Sequence, residues 1–332
     1  MPSDNAAFSV GQATHQGRRA YNEDLFGWFS SPSGDLFVIS DGMGGHKGGQ
    51  QAAQTTVTVF RRYMEQFTGP PDELLFQAVL AADEEVLRQG QDPELEGLGA
   101  TVVALLLQNG RAWYVHVGDS RLYVLGSDGL RQLTKDHSYV QDLVDQGQIS
   151  PEEAAHHEHS NLITQSIGGN VDHGRIRVEN RDCREGESYL LCSDGLSGPV
   201  GPGELTRVLS GPRPTQSQAN ELVQLALDCG GDDNITLQVV AIGRRPSAEM
   251  KTIQVRPKGA SSLPAVLLGA GAICAVGALL AWQPWTVTDP TPPGQPTDLS
   301  APVDDQPPAD DPATTEVQPP AKVDSDSAAP GA

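Results

Sequence analysis

The stretch Thr101–Val117, TVVALLLQNGRAWYVHV, decides the fold. Two runs rich in β-branched, aliphatic and aromatic residues, Val102–Leu107 and Ala112–Val117, lie on either side of Asn109-Gly110. Asn-Gly suits a two-residue hairpin turn, because both central residues of that turn need a positive φ. The stretch therefore predicts two adjacent antiparallel strands.

Other short apolar runs predict further strands around this hairpin. They lie at Leu36–Ser40, Leu122–Leu125, Ser188–Cys192 and Ile235–Ile242. A second hairpin is predicted around Ser127-Asp128-Gly129. Helices are predicted at Gln50–Phe67, Glu73–Gln89 and Gln216–Asp228. Consecutive hairpins with helices between groups of strands indicate an α+β fold with antiparallel sheets.

The composition excludes one class of partner. The 332 residues carry 43 acidic and 22 basic side chains, a net charge of −21. A nucleic-acid binder needs a basic face to neutralise phosphates, so no nucleic-acid partner is predicted. The four cysteines form no C-x-x-C pair, which indicates reduced thiols in a cytoplasmic domain.

The chain divides into four predicted segments: a folded domain over 1–245, a basic juxtamembrane linker over 246–262, a transmembrane helix over 263–282 and an acidic, proline-rich, disordered tail over 283–332. The third segment, LPAVLLGAGAICAVGALLAW, contains no charge, and its twenty residues would span about 30 Å as a helix. Basic residues precede it and acidic residues follow it. This bias predicts a single-pass inner-membrane protein with a cytoplasmic domain and an external tail.

Four aspartates stand where a predicted strand meets a glycine turn: Asp41, Asp119, Asp194 and Asp233. One such residue is usually only part of a turn. Four of them at strand ends indicate a cluster, and clustered carboxylates repel one another unless cations hold them. Oxygen ligands without cysteine favour Mg²⁺ or Mn²⁺ over zinc.

Two such cations about 4 Å apart can bridge a water, lower its pKa and clamp a phosphoryl group. Arg19 is the candidate phosphate ligand, because its planar guanidinium matches phosphate oxygens. Other phosphate chemistries lack their motifs: no cysteine is followed by arginine six residues later, and the glycine-rich stretch 42–49 lacks the Lys-Ser/Thr of a P-loop. The residues predict metal-assisted phosphoester hydrolysis.

A series of short blocks, in order along the chain, resembles the metal-dependent Ser/Thr protein phosphatases, the PPM or type 2C family. The blocks are Arg19…Asn22-Glu23-Asp24, Asp41-Gly42-Met43-Gly44-Gly45, Gly99-Ala100-Thr101, Gly118-Asp119-Ser120-Arg121, Thr134-x-Asp136-His137-Ser138, Ser193-Asp194-Gly195 and Asp233-Asn234-Ile235-Thr236. The resemblance runs from about Gly11 to Ile242. It implies a central sandwich of two antiparallel β-sheets flanked by helices (α-β-β-α), with metals in a cleft at one end.

The resemblance also implies a role for each ligand of a two-metal centre. Asp41 would bridge the metals and the Gly42 carbonyl would bind one of them. Asp194 and Asp233 would complete one metal, and Glu23 would reach the other largely through water. Mn²⁺ or Mg²⁺ is the implied cofactor.

Three further expectations come from the same resemblance. Bacterial members often bind a third, weaker metal, for which Asp119 and Asp194 would serve here. Arg19 would hold the substrate phosphate. Met43 stands where animal members carry a histidine proposed as general acid, so the leaving group must take its proton from another source.

The predicted function is therefore that of a membrane-anchored protein Ser/Thr phosphatase, an enzyme that hydrolyses phosphoSer and phosphoThr monoesters with a bridging water on a two-metal centre. The predicted partners are phosphorylated Ser/Thr proteins, with a Ser/Thr kinase as one candidate. Two alternatives remain open: a catalytically silent membrane-anchored scaffold or receptor with a pseudophosphatase core, and a hydrolase of small phosphoesters.

Overall fold

The computed structural model describes residues 8–45, 47–95, 97–154, 156–169 and 171–243. Within these ranges the strands are β1 (Phe8–His15), β2 (Leu25–Ser31), β3 (Gly34–Ser40), β4 (Gly42–Met43), β5 (Gly99–Ala100), β6 (Val102–Gln108), β7 (Arg111–Val117), β8 (Arg121–Gly126), β9 (Gly129–Gln132), β10 (Glu179–Asp182), β11 (Ser188–Cys192) and β12 (Ile235–Ile242). The helices are α1 (Lys47–Gln66), α2 (Pro71–Gln89), α3 (Tyr139–Asp145), α4 (Pro151–Ala154), α5 (Asp194–Ser197), α6 (Pro202–Ser210) and α7 (Thr215–Asp228), with a 3₁₀ helix at Pro93–Leu95.

The larger strands form two five-stranded antiparallel sheets. The first sheet has the order β1-β12-β11-β8-β9 and the second has the order β10-β7-β6-β3-β2. β6 and β7 are the hairpin that the sequence predicts, with Gln108 opposite Arg111. Asn109 and Gly110 at its turn have φ angles of 51° and 72°, as this turn requires.

Apolar side chains fill three layers. Phe37, Leu105, Leu122 and Tyr189 are among the buried residues that pack between the two sheets. A second cluster joins the outer face of the second sheet to α1 and α2, and a third joins the outer face of the first sheet to α6 and α7. Helix, sheet, sheet and helix therefore stack in the predicted order.

No helix in the described ranges is long and apolar enough to cross a bilayer. The predicted linker at 246–262, the predicted transmembrane helix at 263–282 and the predicted tail at 283–332 all lie outside the described residues. Those three assignments stay predictions.

Candidate active site

Strand ends from both sheets meet at one end of the sandwich. They form a cleft of about 430 Å³. All seven residues that the sequence singled out line this cleft: Arg19, Glu23, Asp41, Gly42, Asp119, Asp194 and Asp233. The structure thus brings the predicted site residues together from positions more than 200 residues apart in the chain.

Thr101 fixes the backbone of Asp41 at the end of β3. The Asp41 amide donates to Thr101 Oγ1 at 3.1 Å, and the Thr101 amide donates back to the Asp41 carbonyl at 2.8 Å. Ser40 Oγ donates to the Thr101 carbonyl at 2.7 Å, and the Thr101 hydroxyl also bonds Ser120 Oγ at 2.7 Å. Because these bonds satisfy the backbone, the Asp41 carboxylate is left to face the cleft.

Close packing of glycines places Glu23 beside the Asp41 turn. A Cβ on Gly42 would lie 2.1 Å from the Gly49 carbonyl oxygen, and a Cβ on Gly49 would lie 2.7 Å from Glu23 Oε2. Neither position has room for a side chain. The glycines therefore let the first turn of α1, the Gly42 backbone and the Glu23 carboxylate approach one another.

Asn234 holds the loop that carries Arg19 and Glu23. Its Nδ2 donates to the carbonyls of Gln16 and Tyr21, both at 2.9 Å. Its Oδ1 accepts from the Glu23 amide at 2.8 Å. This role of Asn234 was not predicted from the sequence, where the residue appeared only as part of a motif. Its position directly after Asp233 was the one sequence feature that pointed to the site.

A rigid loop carries Asp119. Gly118, with φ 99°, donates its amide to His137 Nδ1 at 3.2 Å, and the His137 amide donates to the Gly118 carbonyl at 2.9 Å. Two residues after Asp119, the Arg121 guanidinium donates to both carboxylate oxygens of Asp136 at 2.6–3.0 Å. These contacts hold the backbone on both sides of Asp119.

Asp24 is a buried carboxylate behind the cleft to which the sequence analysis gave no role. It is 8% exposed, and its Oδ2 accepts from Ser193 Oγ at 2.8 Å. Ser193 Oγ in turn accepts from the Thr236 amide at 3.1 Å. Because Ser193 precedes Asp194, this chain of bonds ties the start of β2 to the end of β11.

The electrostatics of the acid cluster are unfavourable without a cation. Burial, reinforced by neighbouring carboxylates, raises the pKa of Asp24 and of Asp119 to about 7. Burial and the same repulsion also raise the pKa of Asp41 and of Asp194. Asp24 Oδ1 and Asp194 Oδ1 are buried without a hydrogen-bond partner in the described part of the chain. These oxygens lack the positive partner that a buried carboxylate needs.

The donor set fits a hard divalent cation, although the ligands are not already assembled. Within the described residues, no three Asp, Glu, His or Cys side chains are grouped closely enough to hold an ion. Asp233 Oδ2 instead accepts a hydrogen bond from Arg19 Nη2 at 2.8 Å. The oxygen donors of the cleft, including the unpartnered Asp194 Oδ1, match the ligands that Mg²⁺ or Mn²⁺ prefers.

The Arg19 guanidinium is held by the Asp232–Asp233 segment of the chain. Besides Asp233, its Nε donates to the Asp232 carbonyl at 3.1 Å. The Asp232 side chain is exposed and pairs with Arg18 at 3.0 Å.

The histidines outside the cleft contact one another and nearby groups of the chain. His116 on β7 is half-buried: its Nε2 lies 2.6 Å from the Lys135 carbonyl and its ring stacks on His137 at 4.6 Å. His157 and His159 lie in the loop after α4, against Tyr139. His46 lies outside the described residues.

Comparison with known proteins identifies the domain. A family model described as protein phosphatase 2C matches residues 11–230. The Ser/Thr protein phosphatase PstP of Mycobacterium tuberculosis is 38% identical over 228 residues, which cover 68% of this chain and 43% of PstP. The protein phosphatase PhpP of Streptococcus pneumoniae is 32% identical over 234 residues, covering 68% of this chain and 93% of PhpP.

Solved structures agree. The crystal structure of the PstP catalytic domain in complex with two manganese ions is similar with a TM-score of 0.63 and 36% identity, over 71% of this chain and 99% of that one. Stp1 from Staphylococcus aureus is similar with a TM-score of 0.67 and 31% identity, over 73% and 98% of the two chains.

The predicted family and the predicted fold of the folded domain are confirmed by these comparisons. The chain spans less than half the length of its mycobacterial relative, but nearly all of the streptococcal one. With its motifs, its fold and its acid cleft in agreement, the chain belongs to the protein phosphatase 2C family.

Proposed function

We propose that this protein removes phosphate from phosphoserine and phosphothreonine side chains of other proteins, with two Mn²⁺ or Mg²⁺ ions as cofactors. The observation that carries the proposal is the group of half-buried carboxylates in an open cleft, among which the buried Asp194 Oδ1 has no partner in the described residues. A scaffold or receptor has no need of a complete and electrostatically costly acid set. Retention of all the acids therefore favours the enzyme over the silent alternative.

Within this proposal Asp41, Asp194, Asp233, the Gly42 carbonyl and Glu23 hold the two ions. The bound ions supply an activated water and neutralise charge on the phosphoryl group. The protein's own contribution is position: Thr101 fixes the Asp41 backbone, and Asn234 fixes the backbone of Glu23.

Arg19 is the proposed phosphate ligand. Its side chain is 59% exposed at the cleft rim, so it can turn towards a substrate once Asp233 is engaged elsewhere. A guanidinium donates two parallel hydrogen bonds to a phosphate, which fixes orientation as well as charge. Asp119, with Asp194, is the proposed site of a third, weaker ion.

The proposed cellular context rests on the sequence outside the described ranges. The uncharged stretch 263–282 follows a basic linker and precedes an acidic tail, which supports an inner-membrane anchor with the phosphatase domain on the cytoplasmic side. Phosphorylated proteins in the cytoplasm, a Ser/Thr kinase among them, are the proposed substrates.

The test is a divalent-ion titration of the full chain, with phosphothreonine and phosphoserine peptides beside a small aryl phosphate. We expect no turnover in a chelator, recovery with Mn²⁺, and a higher kcat/KM on peptides than on the small ester. Turnover that is independent of divalent ions would contradict the metal assignment. Efficient hydrolysis of the small ester alone would favour the small-phosphoester alternative, and inactivity with bound Mn²⁺ would favour the scaffold.

A further inference from the structure

A polar cavity of about 260 Å³ lies at the end of the sandwich opposite the active cleft. β8 begins just after Asp119 and runs away from the cleft to Gly126, and β11 begins at Ser188 and runs towards Asp194. Strands of five or six residues put their two ends about 15 Å apart. The cavity lies between the turn that follows β8 and the loop that precedes β11, so it shares no residue with the catalytic site.

An ion pair between Arg181 and Glu187 lines one side of this cavity. The Glu187 side chain is 7% exposed and accepts hydrogen bonds from Arg181 Nη2 at 2.7 Å and from Arg181 Nη1 at 3.2 Å. The Arg184 amide adds a bond at 3.0 Å, and Tyr189 Oη adds one at 3.4 Å. Glu187 therefore has all the donors it needs, and its charge is balanced by Arg181.

Two other arginines line the same cavity without such a partner. Neither Arg131 nor the Arg184 side chain forms an ion pair within the described ranges. The other lining acid, Asp128, sits in the exposed β8–β9 turn and accepts from Ser127 Oγ at 3.0 Å. The cavity thus holds three guanidinium groups against two carboxylates, although the residues 1–245 carry 33 acids and only 18 bases.

We propose that this arginine pocket, defined by Arg131, Arg181 and Arg184, binds a phosphate group. Planar guanidinium forks match phosphate oxygens, and an anion would relieve the repulsion between the like charges. A volume of about 260 Å³ is far larger than the space one water occupies and admits a phosphate with a small ester group. The proposal is independent of the catalytic function.

Two sources of that phosphate fit the location. One is soluble, as inorganic phosphate or a small phosphomonoester. The other is a phospholipid headgroup: β12 ends beside the pocket, where the Ile242 amide donates to the Glu187 carbonyl at 2.8 Å, and Arg244 and Arg245 follow it in the sequence. Both sources present the same phosphate oxygens to the same guanidinium groups.

The experiment observes the arginine side chains directly. The full chain, labelled with ¹⁵N-arginine in neutral detergent micelles, is titrated with inorganic phosphate, with dihexanoyl phosphatidic acid, and with sodium chloride at matched ionic strength. The Nε–H signals of Arg131 and Arg184 are identified by their loss in R131Q and R184Q. We expect saturable shifts of these two signals with a phosphate probe and none with chloride.

The double variant R131Q/R184Q is compared with R62Q/R175Q, which removes two exposed arginines that also lack an ion pair in the described residues. We expect phosphate affinity, read from the remaining Arg181 signal, to fall about tenfold or more in the first variant, which loses two charged donors, and to stay unchanged in the second. Shifts with the lipid probe alone would identify a headgroup site, and shifts with inorganic phosphate would identify a soluble ligand. Linear shifts that chloride reproduces, or equal losses in both variants, would overturn the proposal.

Discussion

The two ends of the sandwich treat buried carboxylates in opposite ways. At the arginine pocket, Glu187 is buried against Arg181 and accepts hydrogen bonds from four donor groups of the chain. At the active cleft, Asp24 is buried and Asp194 is half-buried, each with one buried oxygen unpartnered in the described residues, and desolvation raises the pKa of both.

This difference in hydrogen-bond partners distinguishes acidic residues that stabilise the fold from acidic residues that we propose bind a ligand. A buried charge is tolerated when the chain supplies its counter-charge and hydrogen bonds. Where several neighbouring carboxylates lack counter-charges and hydrogen-bond donors from the protein, a cation from solution can supply the positive charge. A carboxylate has a structural role at the arginine pocket and a proposed ligand-binding role at the cleft, and the hydrogen-bond partners of its oxygens distinguish the two cases.

Removing a cleft acid should have the largest effect on activity. We expect Asp41→Asn or Asp194→Asn to lower Mn²⁺-dependent hydrolysis of a phosphothreonine peptide by about 10³-fold or more, because several kcal/mol of charge stabilisation depends on the ions. The fold should persist, since less charge is buried. Asp232→Asn, an exposed neighbour of Asp233, is the matched control and should keep full activity. Turnover retained in either cleft variant would show that its carboxylate is not needed for metal-dependent catalysis.

At the opposite end, Glu187→Gln should cost stability and spare catalysis. The change leaves Arg181 buried, 17% exposed, without its counter-charge. We expect a loss of about 3 kcal/mol in the free energy of unfolding, measured by urea denaturation, with kcat/KM nearly unchanged. The exposed Glu185→Gln should change stability by less than about 0.5 kcal/mol. Equal stability of the two variants would show that the pair is not structural.

Manganese should stabilise the protein more at pH 7.5 than at pH 5. Asp24 and Asp119 have a pKa of about 7 in the folded state, raised from 3.8. Acids with raised folded pKa values favour the folded state below pH 4, and that contribution is lost as pH rises through 7, so the metal-free protein is penalised near neutrality. There the cation binds the free carboxylates and adds about 2.7 kcal/mol at 100 times its dissociation constant.

The measurement is urea unfolding with EDTA or Mn²⁺ at the two pH values. Asp194→Asn is the control and should show a much smaller gain from Mn²⁺. A gain from Mn²⁺ that is equal at both pH values would contradict the titration of the cluster.

The smallest effect is expected at the rim. Arg19→Ala should raise KM for a phosphopeptide about tenfold with a lesser change in kcat, because a charged hydrogen bond to phosphate is worth about 1.5–3 kcal/mol. Arg18→Ala removes the neighbouring arginine, whose pair with Asp232 is highly exposed, and should leave both constants unchanged. An unchanged KM in Arg19→Ala would remove its proposed role.

Much of the fold could be predicted because its local signals agree. The Asn109-Gly110 turn, the short apolar run Leu122–Leu125 and the buried strand Ile235–Ile242 each indicate one structure only, and the strands match within one or two residues. β1 and β2 were not predicted, and neither were the short strands β4, β5 and β10. Phe8–His15 contains Gly11 and several polar residues, and its strand exists because β12 pairs with it along its whole length.

The site was predictable as a set of residues but not as a network of contacts. Strand ends followed by Asp-Gly revealed Asp41 and Asp194 from sequence alone. The role of Asp24 depends on Ser193, 169 positions away, and that contact is created by sheet pairing. The arginine pocket is of the same kind, since Arg131 and Arg184 become neighbours only when β9 and the β10–β11 loop reach the same end of the sandwich.

The acids of the cleft come from different sheets: Asp41 extends from the second sheet, and Asp194 and Asp233 adjoin neighbouring strands of the first. The thickness of the apolar layer between the sheets, where Leu191 lies fully buried, therefore contributes to the spacing between the potential ligands. We expect interior residues with no polar atom in their side chains to influence which ion the cleft prefers. Comparing Mn²⁺ and Mg²⁺ affinities before and after Leu191→Ala would measure this dependence, and an unaltered ratio would show that the loops set the spacing instead.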